Sequence, residues 1–201
     1  MGDQLLSLPV IERSVHLCVD IQRIFSDEGP WPTPWMDRVL PVVASLASRN
    51  PERTVFTRFV PPSVQTRCRA CGSGTTHACA LRPRERLDLQ LLDLMPPLAA
   101  LRPPATVIDK TSYSAFAEPG MIDHLRQREA DALIVSGSEM DVCVLATGLD
   151  AVDIGYRAIV VRNVICSSSD EGHEMLMRLY DTRYTEQVET ANAEAILARW
   201  G

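Results

Sequence analysis

Three side chains suited to nucleophilic catalysis each stand at the end of, or just after, a short apolar run: Asp20, Lys110 and Cys143. A thiol becomes a strong nucleophile once it is deprotonated, a carboxylate can take up its proton, and an ammonium group can stabilise the thiolate. If the three met in one pocket, they could attack an amide or similar carbonyl carbon and form a thioester. Backbone amides in the turn before Cys143 could then face the developing oxyanion.

The stretch around Cys143 has the pattern of a strand, a turn and a helix. Residues 132–137 form an apolar run that breaks at Gly137, and the chain becomes amphipathic after Asp141. This pattern predicts a buried strand, a tight turn and a helix with Cys143 in its first turn. The positive end of the helix dipole favours the thiolate there. Without a base and a cation nearby, Cys143 is better explained as a small buried apolar residue.

The rest of the chain alternates apolar runs with helical periodicity, which predicts one doubly wound α/β domain over residues 1–201. Its architecture would be a mostly parallel six-stranded sheet with helices on both faces. The predicted strands are residues 15–21, 54–59, 105–110, 132–137, 157–162 and 187–190. The predicted helices are residues 35–48, 84–94, 118–128, the segment after 141, 170–180 and 191–200.

Such a sheet binds its ligands beyond the carboxyl ends of the strands. Four polar residues lie at or just past predicted strand ends, which favours a common site: Asp20, Arg58, Lys110 and Cys143. Arg58 could meet an anion there, or it could pair with Asp20 or Asp109. The three histidines at positions 16, 124 and 173 do not lie at such ends and are interpreted as structural.

A partly aromatic substrate pocket is predicted around this site. The loop at residues 21–35 carries several aromatic residues among residues that break regular structure, and it would be a pocket wall or a packed surface loop. The candidate pocket residues are Phe25, Trp31, Arg58, Tyr113, Phe116 and Met140.

Composition narrows the function classes. The net charge of −6 argues against nucleic acid as a main partner, so a small-molecule substrate is expected. The sequence has no run of membrane-spanning length and no convincing signal peptide, which predicts a cytoplasmic protein without a membrane partner. In that compartment, its six cysteines are expected to be buried, reactive or metal-bound rather than disulfide-paired.

The residues in this order resemble the isochorismatase-like cysteine hydrolases, a group that includes nicotinamidase, carbamoylsarcosine amidohydrolase and isochorismatase. The resemblance covers nearly the whole chain and is carried by residues 20–25, 57–58, 110–116 and 137–144. It implies that Asp20, Lys110 and Cys143 form the catalytic triad and that the amides of Glu139 and Cys143 form the oxyanion hole. It also implies a cis peptide between Ser138 and Glu139, a pocket wall at Phe25, and a homo-oligomer, either a dimer or a tetramer.

The chain departs from the family pattern in two places. Metal-binding amidases of the family have a His shortly after the second strand, and this chain has Arg58, Phe59 and Val60 there, so no catalytic metal and no cofactor are expected. Met140 stands where the family often has Thr, a local support for the turn. The presence of Cys143 favours amide hydrolysis over the vinyl-ether cleavage of members that lack it. A non-catalytic binding or assembly protein on the same fold is the other alternative.

Residues 65–79 differ from their surroundings, with three of the six cysteines and no large apolar residue. Three interpretations stay open. The segment could be a zinc site, a plain polar loop, or the product of two compensating frame changes, since another reading frame permits an aromatic run that resembles relatives. A zinc site would use Cys68, Cys71, His77 and Cys79, of which only the Cys68–Cys71 half has a favourable spacing.

Overall fold

The computed structural model describes residues 11–61 and 87–200, and these residues form a single six-stranded sheet with helices packed on both faces. The six-stranded doubly wound fold predicted from the sequence is confirmed. Every strand pairing is parallel, in the order β3-β2-β1-β4-β5-β6. The strands are β1 Ser14–Val19, β2 Thr54–Phe59, β3 Thr106–Lys110, β4 Ala132–Gly137, β5 Arg157–Ile165 and β6 Val188–Ala191.

Six α-helices lie among the described residues. They are α1 Met36–Arg49, α2 Pro96–Ala99, α3 Pro119–Gln127, α4 Leu145–Ile154, α5 Asp170–Thr182 and α6 Ala193–Leu197. Amphipathic spacing explains α1, whose buried side chains recur at helical intervals from Met36 to Ala47. The Ser169 hydroxyl caps α5 by accepting a hydrogen bond from the Gly172 amide.

The predicted helix at residues 84–94 is wrong over its described part. The chain there makes a short 3₁₀ turn, Leu89–Leu92, and then becomes extended. The reason is backbone hydrogen bonding to the loop after β1. The Arg23 amide donates to the Asp93 carbonyl at 3.0 Å, and the Met95 amide donates to the Ile21 carbonyl at 3.0 Å. Backbone groups that a helix would use internally are therefore committed to another segment.

The two faces of the sheet bury two separate cores because side chains alternate along each strand. Cys18 and Phe56 face one cluster, which includes α1 and α6. Val19 and Val55 face the other, which includes α3, α4 and α5. Among the described residues no helix has the length and apolar character needed to cross a membrane.

Candidate active site

The candidate site lies where the strand order reverses, between β1 and β4. β1 pairs with β2 on one side and with β4 on the other, so the chain after each of these central strands opens into one crevice. Asp20 directly follows β1, and Cys143 follows β4 after a tight turn. Lys110 is the last residue of β3. The predicted meeting of these three residues at the carboxyl edge of the sheet follows from this topology.

Asp20 is fixed by the neighbouring strand. Its backbone is left-handed (φ 51°), a conformation that Asp tolerates better than most residues. Its amide donates to the carbonyl and the hydroxyl of Thr57, at 3.3 and 3.2 Å. The Thr57 hydroxyl in turn donates to the Asp20 Oδ1 atom at 2.6 Å. Thr57 therefore holds the orientation of the carboxylate, a role not predicted from the sequence although the parallel register places Thr57 beside it.

Lys110 forms a fully buried ion pair with Asp20. Its Nζ lies 2.5 Å from the Asp20 Oδ2 atom, and neither side chain is exposed to solvent. The same Nζ donates to the carbonyls of Ser112 and Tyr113, at 2.9 and 3.0 Å. Burial lowers the pKa of Lys110, but its interactions with Asp20 and then with Cys143 raise it by more, so its pKa lies above the usual value. Lys110 is thus held as an ammonium ion with a fixed direction.

Cys143 lies in a π-helical turn, Met140–Val144, that leads into α4. Asp20 and Lys110 both act on the pKa of its thiol. The expectation that the helix start favours the thiolate is wrong for the resting protein. Burial raises the pKa of the thiol to about 12, and the Asp20 charge adds to this rise while Lys110 opposes it. The resting group is therefore a neutral thiol beside a carboxylate that can accept its proton.

The turn between β4 and Cys143 is tightly packed against β1. Gly137 has a φ of 136°, and a Cβ at this position would lie 2.1 Å from the Val19 carbonyl oxygen, so only glycine fits. The next peptide, Ser138–Glu139, is cis, as the family resemblance implies. The Glu139 carbonyl accepts hydrogen bonds from Val142 and Val144. The Glu139 amide makes no hydrogen bond to any described residue, which leaves it available as a donor.

The aromatic wall predicted from the 21–35 loop has a third member, Phe59, that the sequence analysis did not include. The Trp31 ring lies between Phe25 and Phe59, with centroid distances of 6.2 and 6.3 Å. The Phe59 ring lies 5.6 Å from the Lys110 Nζ. These rings form a continuous path from the loop to the buried ion pair. Strand alternation could have found Phe59, since it is the register partner of Lys110.

Arg58, the cation expected near the site, pairs elsewhere. Its guanidinium donates two hydrogen bonds to Asp109, at 2.7 and 2.9 Å, and lies 3.5 Å from Asp93. Of the alternatives left open by the sequence, the structure therefore contains the Asp109 pair. Arg58 also lines a cavity of about 410 Å³ with Val60, Leu92 and Glu118.

The remaining predicted pocket residues have mixed surroundings. Phe116 and Met140 are buried in the core cluster that also contains Cys143, and Phe116 stacks on Tyr156 with a centroid distance of 6.0 Å. Tyr113 is 43% exposed, and its carbonyl accepts a hydrogen bond from Lys110. Their roles as substrate contacts stay predictions.

The family's metal chemistry does not fit the described residues. The metal-binding amidases have a His shortly after the second strand, whereas β2 of this chain ends with Arg58 and the apolar ring of Phe59. The described residues contain no group of three metal ligands drawn from His, Cys, Asp and Glu. The suggested zinc ligands Cys68, Cys71, His77 and Cys79 lie outside the described residues. The frame-change interpretation of residues 65–80 lies outside them too.

Comparison with family models decides the relationship, because the Isochorismatase domain model matches residues 14–192. The chain belongs to the isochorismatase family. The matched range holds every residue of the candidate site, from Asp20 to Cys143.

Individual relatives of this isochorismatase-family chain are matched over shorter stretches. Nicotinamidase from Escherichia coli is 39% identical over 75 residues, covering 32% of this chain and 35% of that protein. Maleamate amidohydrolase from Pseudomonas putida is 29% identical over 87 residues, covering 43% of this chain and 41% of that protein. The chain therefore matches well under two thirds of the length of these curated relatives.

Among solved structures, a cysteine hydrolase from Pseudomonas syringae pv. phaseolicola has a TM-score of 0.76 to this chain. The superposition covers 96% of this chain and 98% of that one, at 17% identity. At this identity the likeness establishes a common fold.

Proposed function

We propose that this protein hydrolyses a small amide or related carbonyl compound through a thioester on Cys143, without a metal. The observation that carries the proposal is the fully buried Lys110–Asp20 pair, 2.5 Å apart, whose two charges both act on the pKa of the Cys143 thiol. A buried ion pair is costly to maintain, and perturbed ionisable groups in a cleft at a strand switch point are typical of catalytic sites. The names of two relatives, nicotinamidase and maleamate amidohydrolase, denote amide-hydrolysing enzymes and agree with this choice.

In the first half-reaction, Asp20 acts as general base. It accepts the Cys143 proton as the sulfur attacks the carbonyl carbon, which is needed because the resting thiol has a pKa of about 12. Lys110 stabilises the developing negative charge on sulfur, and the free Glu139 amide, together with that of Cys143, donates to the oxyanion. When the tetrahedral intermediate collapses, the C–N bond breaks and Asp20 gives its proton to the leaving amine.

In the second half-reaction, a water molecule replaces the departed amine. Asp20 takes a proton from this water, whose oxygen attacks the thioester carbon, and the C–S bond breaks. Asp20 then returns its proton to the departing sulfur, so the products are a carboxylic acid, the restored Cys143 thiol and the Asp20 carboxylate. The Thr57 hydroxyl keeps the Asp20 carboxylate in place through both steps by its 2.6 Å hydrogen bond.

Acid-quenched intact-mass measurement tests the proposal. The protein is mixed with a panel of small amides that includes nicotinamide and maleamate, quenched within seconds, and examined for an acyl adduct and for released ammonia. We expect an adduct that peptide mapping assigns to Cys143 and that is absent in Cys143→Ala. Ammonia release that persists in Cys143→Ala contradicts the mechanism. Absence of both adduct and ammonia favours a binding protein, and consumption of isochorismate without an adduct favours vinyl-ether hydrolysis.

A further inference from the structure

One carboxylate oxygen of Glu139 makes no hydrogen bond within the fold. Its Oε1 atom is buried and has no hydrogen-bond partner, although buried carboxylate oxygens are normally satisfied. The same residue carries the free amide that the proposed mechanism gives to the oxyanion. Its carbonyl accepts from Val142 and Val144, on either side of Cys143, so the carboxylate belongs to the turn that positions the thiol.

The cations nearest to the site are already neutralised. The ammonium group of Lys110 is paired with Asp20, and Arg58 is shared between Asp109 and Asp93. Both cations therefore have carboxylate partners other than Glu139.

Arg38 is another basic residue near the turn. Its guanidinium lies over the Trp35 ring, 3.4 Å from the centroid. Burial is the main cause of the raised pKa of the Cys166 thiol. The Glu139 charge raises this pKa further and the Arg38 charge lowers it, so both charges lie close enough to Cys166 to act on it. The described residues contain no ion pair between Arg38 and Glu139.

Two other carboxylates add to the negative charge of this region. Asp141 is exposed within the same turn. Asp170 begins α5, which packs against the turn, and accepts a hydrogen bond from the Trp35 indole at 2.9 Å. His173 on α5 does not offset them, since burial and then Arg38 lower its pKa. Three carboxylates thus lie in or beside the turn. Arg38 is a cation near them, and Arg162, which also acts on His173, is paired with Asp181.

We propose that Glu139 selects the substrate by charge: it favours a substrate with an N–H donor or a cationic group next to the scissile carbonyl and disfavours one with a carboxylate there. This inference rests on the proposed function, since it concerns the compound that Cys143 attacks. A donor would supply the hydrogen bond that the Oε1 atom lacks. A substrate carboxylate would instead face a second negative charge.

Charged thiol reagents test the inference without knowledge of the substrate. Two methanethiosulfonates of similar size are compared, one with a trimethylammonium and one with a sulfonate group. Each forms a disulfide with the thiol and releases methanesulfinate, and the rates at Cys143 are read from peptide mass maps. We expect the cationic reagent to react faster, and we expect Glu139→Gln to lower the cation-to-anion rate ratio by about tenfold, as loss of one charge several ångströms away implies.

Two matched variants control for general charge effects. Glu52→Gln makes the same change at an exposed position before β2, at the opposite edge of the sheet, and should leave the ratio within about twofold because screening is strong at that distance. Arg38→Gln should raise the ratio. In the wild-type protein the ratio should approach one as the ionic strength is raised to about 1 M, and this measurement needs no folded variant.

A ratio that is unchanged in Glu139→Gln, or a wild-type preference for the anionic reagent, overturns the inference. This outcome is separate from failure of the proposed function, because a thioester on Cys143 can form whatever the reagent ratio is. Once the protein has been shown to hydrolyse amides, their turnover rates give a second measurement. The kcat/KM for cationic 1-methylnicotinamide and neutral nicotinamide should exceed that for anionic maleamate, and Glu139→Gln should narrow the difference.

Discussion

Two charge pairs at the carboxyl ends of β1, β2 and β3 have different environments. Arg58 pairs with Asp109, and one residue further along the chain Lys110 pairs with Asp20. In the first pair the side chains are 25% and 49% exposed, and in the second both are 0% exposed. The parallel register places Arg58 opposite Asp109 and Phe59 opposite Lys110, so alternation along β2 and β3 sends the two pairs to opposite faces of the sheet.

The difference shows why position at a strand end is insufficient to identify a catalytic charge. Solvent screens the exposed pair, so its charges act weakly on their surroundings. The buried pair has no such screening, so its charges act on Cys143: Asp20 raises the pKa of the thiol and Lys110 lowers it. Exposure separates a surface ion pair from a pair that can stabilise a reacting thiol.

The largest expected contrast is in thioester formation. Asp20→Asn should slow it at least about 10³-fold, because the general base is lost. Asp109→Asn, the matched change in the exposed pair, should leave it within about threefold. Rapid acid quench with intact-mass detection measures both rates. Similar losses in the two variants would show that the two pairs are not functionally distinct.

Stability should show the next contrast. Asp20→Asn leaves the Lys110 ammonium buried without its partner and should lower the free energy of unfolding by about 3–5 kcal/mol. Asp109→Asn should lower it by less than about 1 kcal/mol, since solvent replaces the lost partner. Urea denaturation followed by circular dichroism measures both values. A loss in Asp20→Asn as small as that in Asp109→Asn would mean that the buried pair is not maintained in solution.

His16 extends the comparison to a buried base that has no counter-charge. Burial lowers its pKa from 6.5 to about 3, and its Nε2 atom shares a 2.8 Å hydrogen bond with the Ser136 hydroxyl. Above pH 6.5 the folded and unfolded forms are both neutral. Between pH 6.5 and about 3 only the unfolded form takes up the proton, so the free energy of unfolding should fall by about 1.4 kcal/mol per pH unit, or about 2 kcal/mol by pH 5.

Urea titrations at pH 7, 6 and 5 measure this slope, and His16→Gln is the control. The variant should be less stable at pH 7 but should lose about 2 kcal/mol less between pH 6.5 and 5, because it has no imidazole to protonate. The same slope in both proteins would assign the acid sensitivity to other groups.

The sequence was sufficient to predict the fold and to place Asp20, Lys110 and Cys143 at one edge of the sheet. The predicted bounds of β2 and β4 match the structure, because short apolar runs between turn residues have few alternatives in a parallel sheet. Asp20 and Lys110 could be placed together because a parallel sheet brings its strand ends to one edge. Their roles with Cys143, and the amides of the oxyanion hole, stay predictions.

What the sequence did not predict depends on burial and on long-range pairing. The helix dipole favours a Cys143 thiolate, but burial dominates and reverses the direction, and burial is known only once the core is assembled. Residues 84–94 were predicted to be helical from their leucine spacing, but in the described part, residues 87–94, hydrogen bonds to the chain after β1 replace the helix. Thr57 and the free Oε1 atom of Glu139 likewise depend on contacts between distant segments.

The central claim, that the buried pair acts on Cys143, is tested most directly by the rate of iodoacetamide labelling at Cys143 as a function of pH. Peptide mapping of the fully buried Cys18 and Cys166 in the same samples detects any unfolding. In the wild-type protein the rate should rise about tenfold per pH unit without a plateau up to pH 11, because the pKa of the thiol is about 12. Asp20→Asn removes a charge that raises this pKa, so the profile should shift to lower pH, while Asp109→Asn should leave it unchanged. Identical profiles in the wild-type protein and Asp20→Asn would contradict the account.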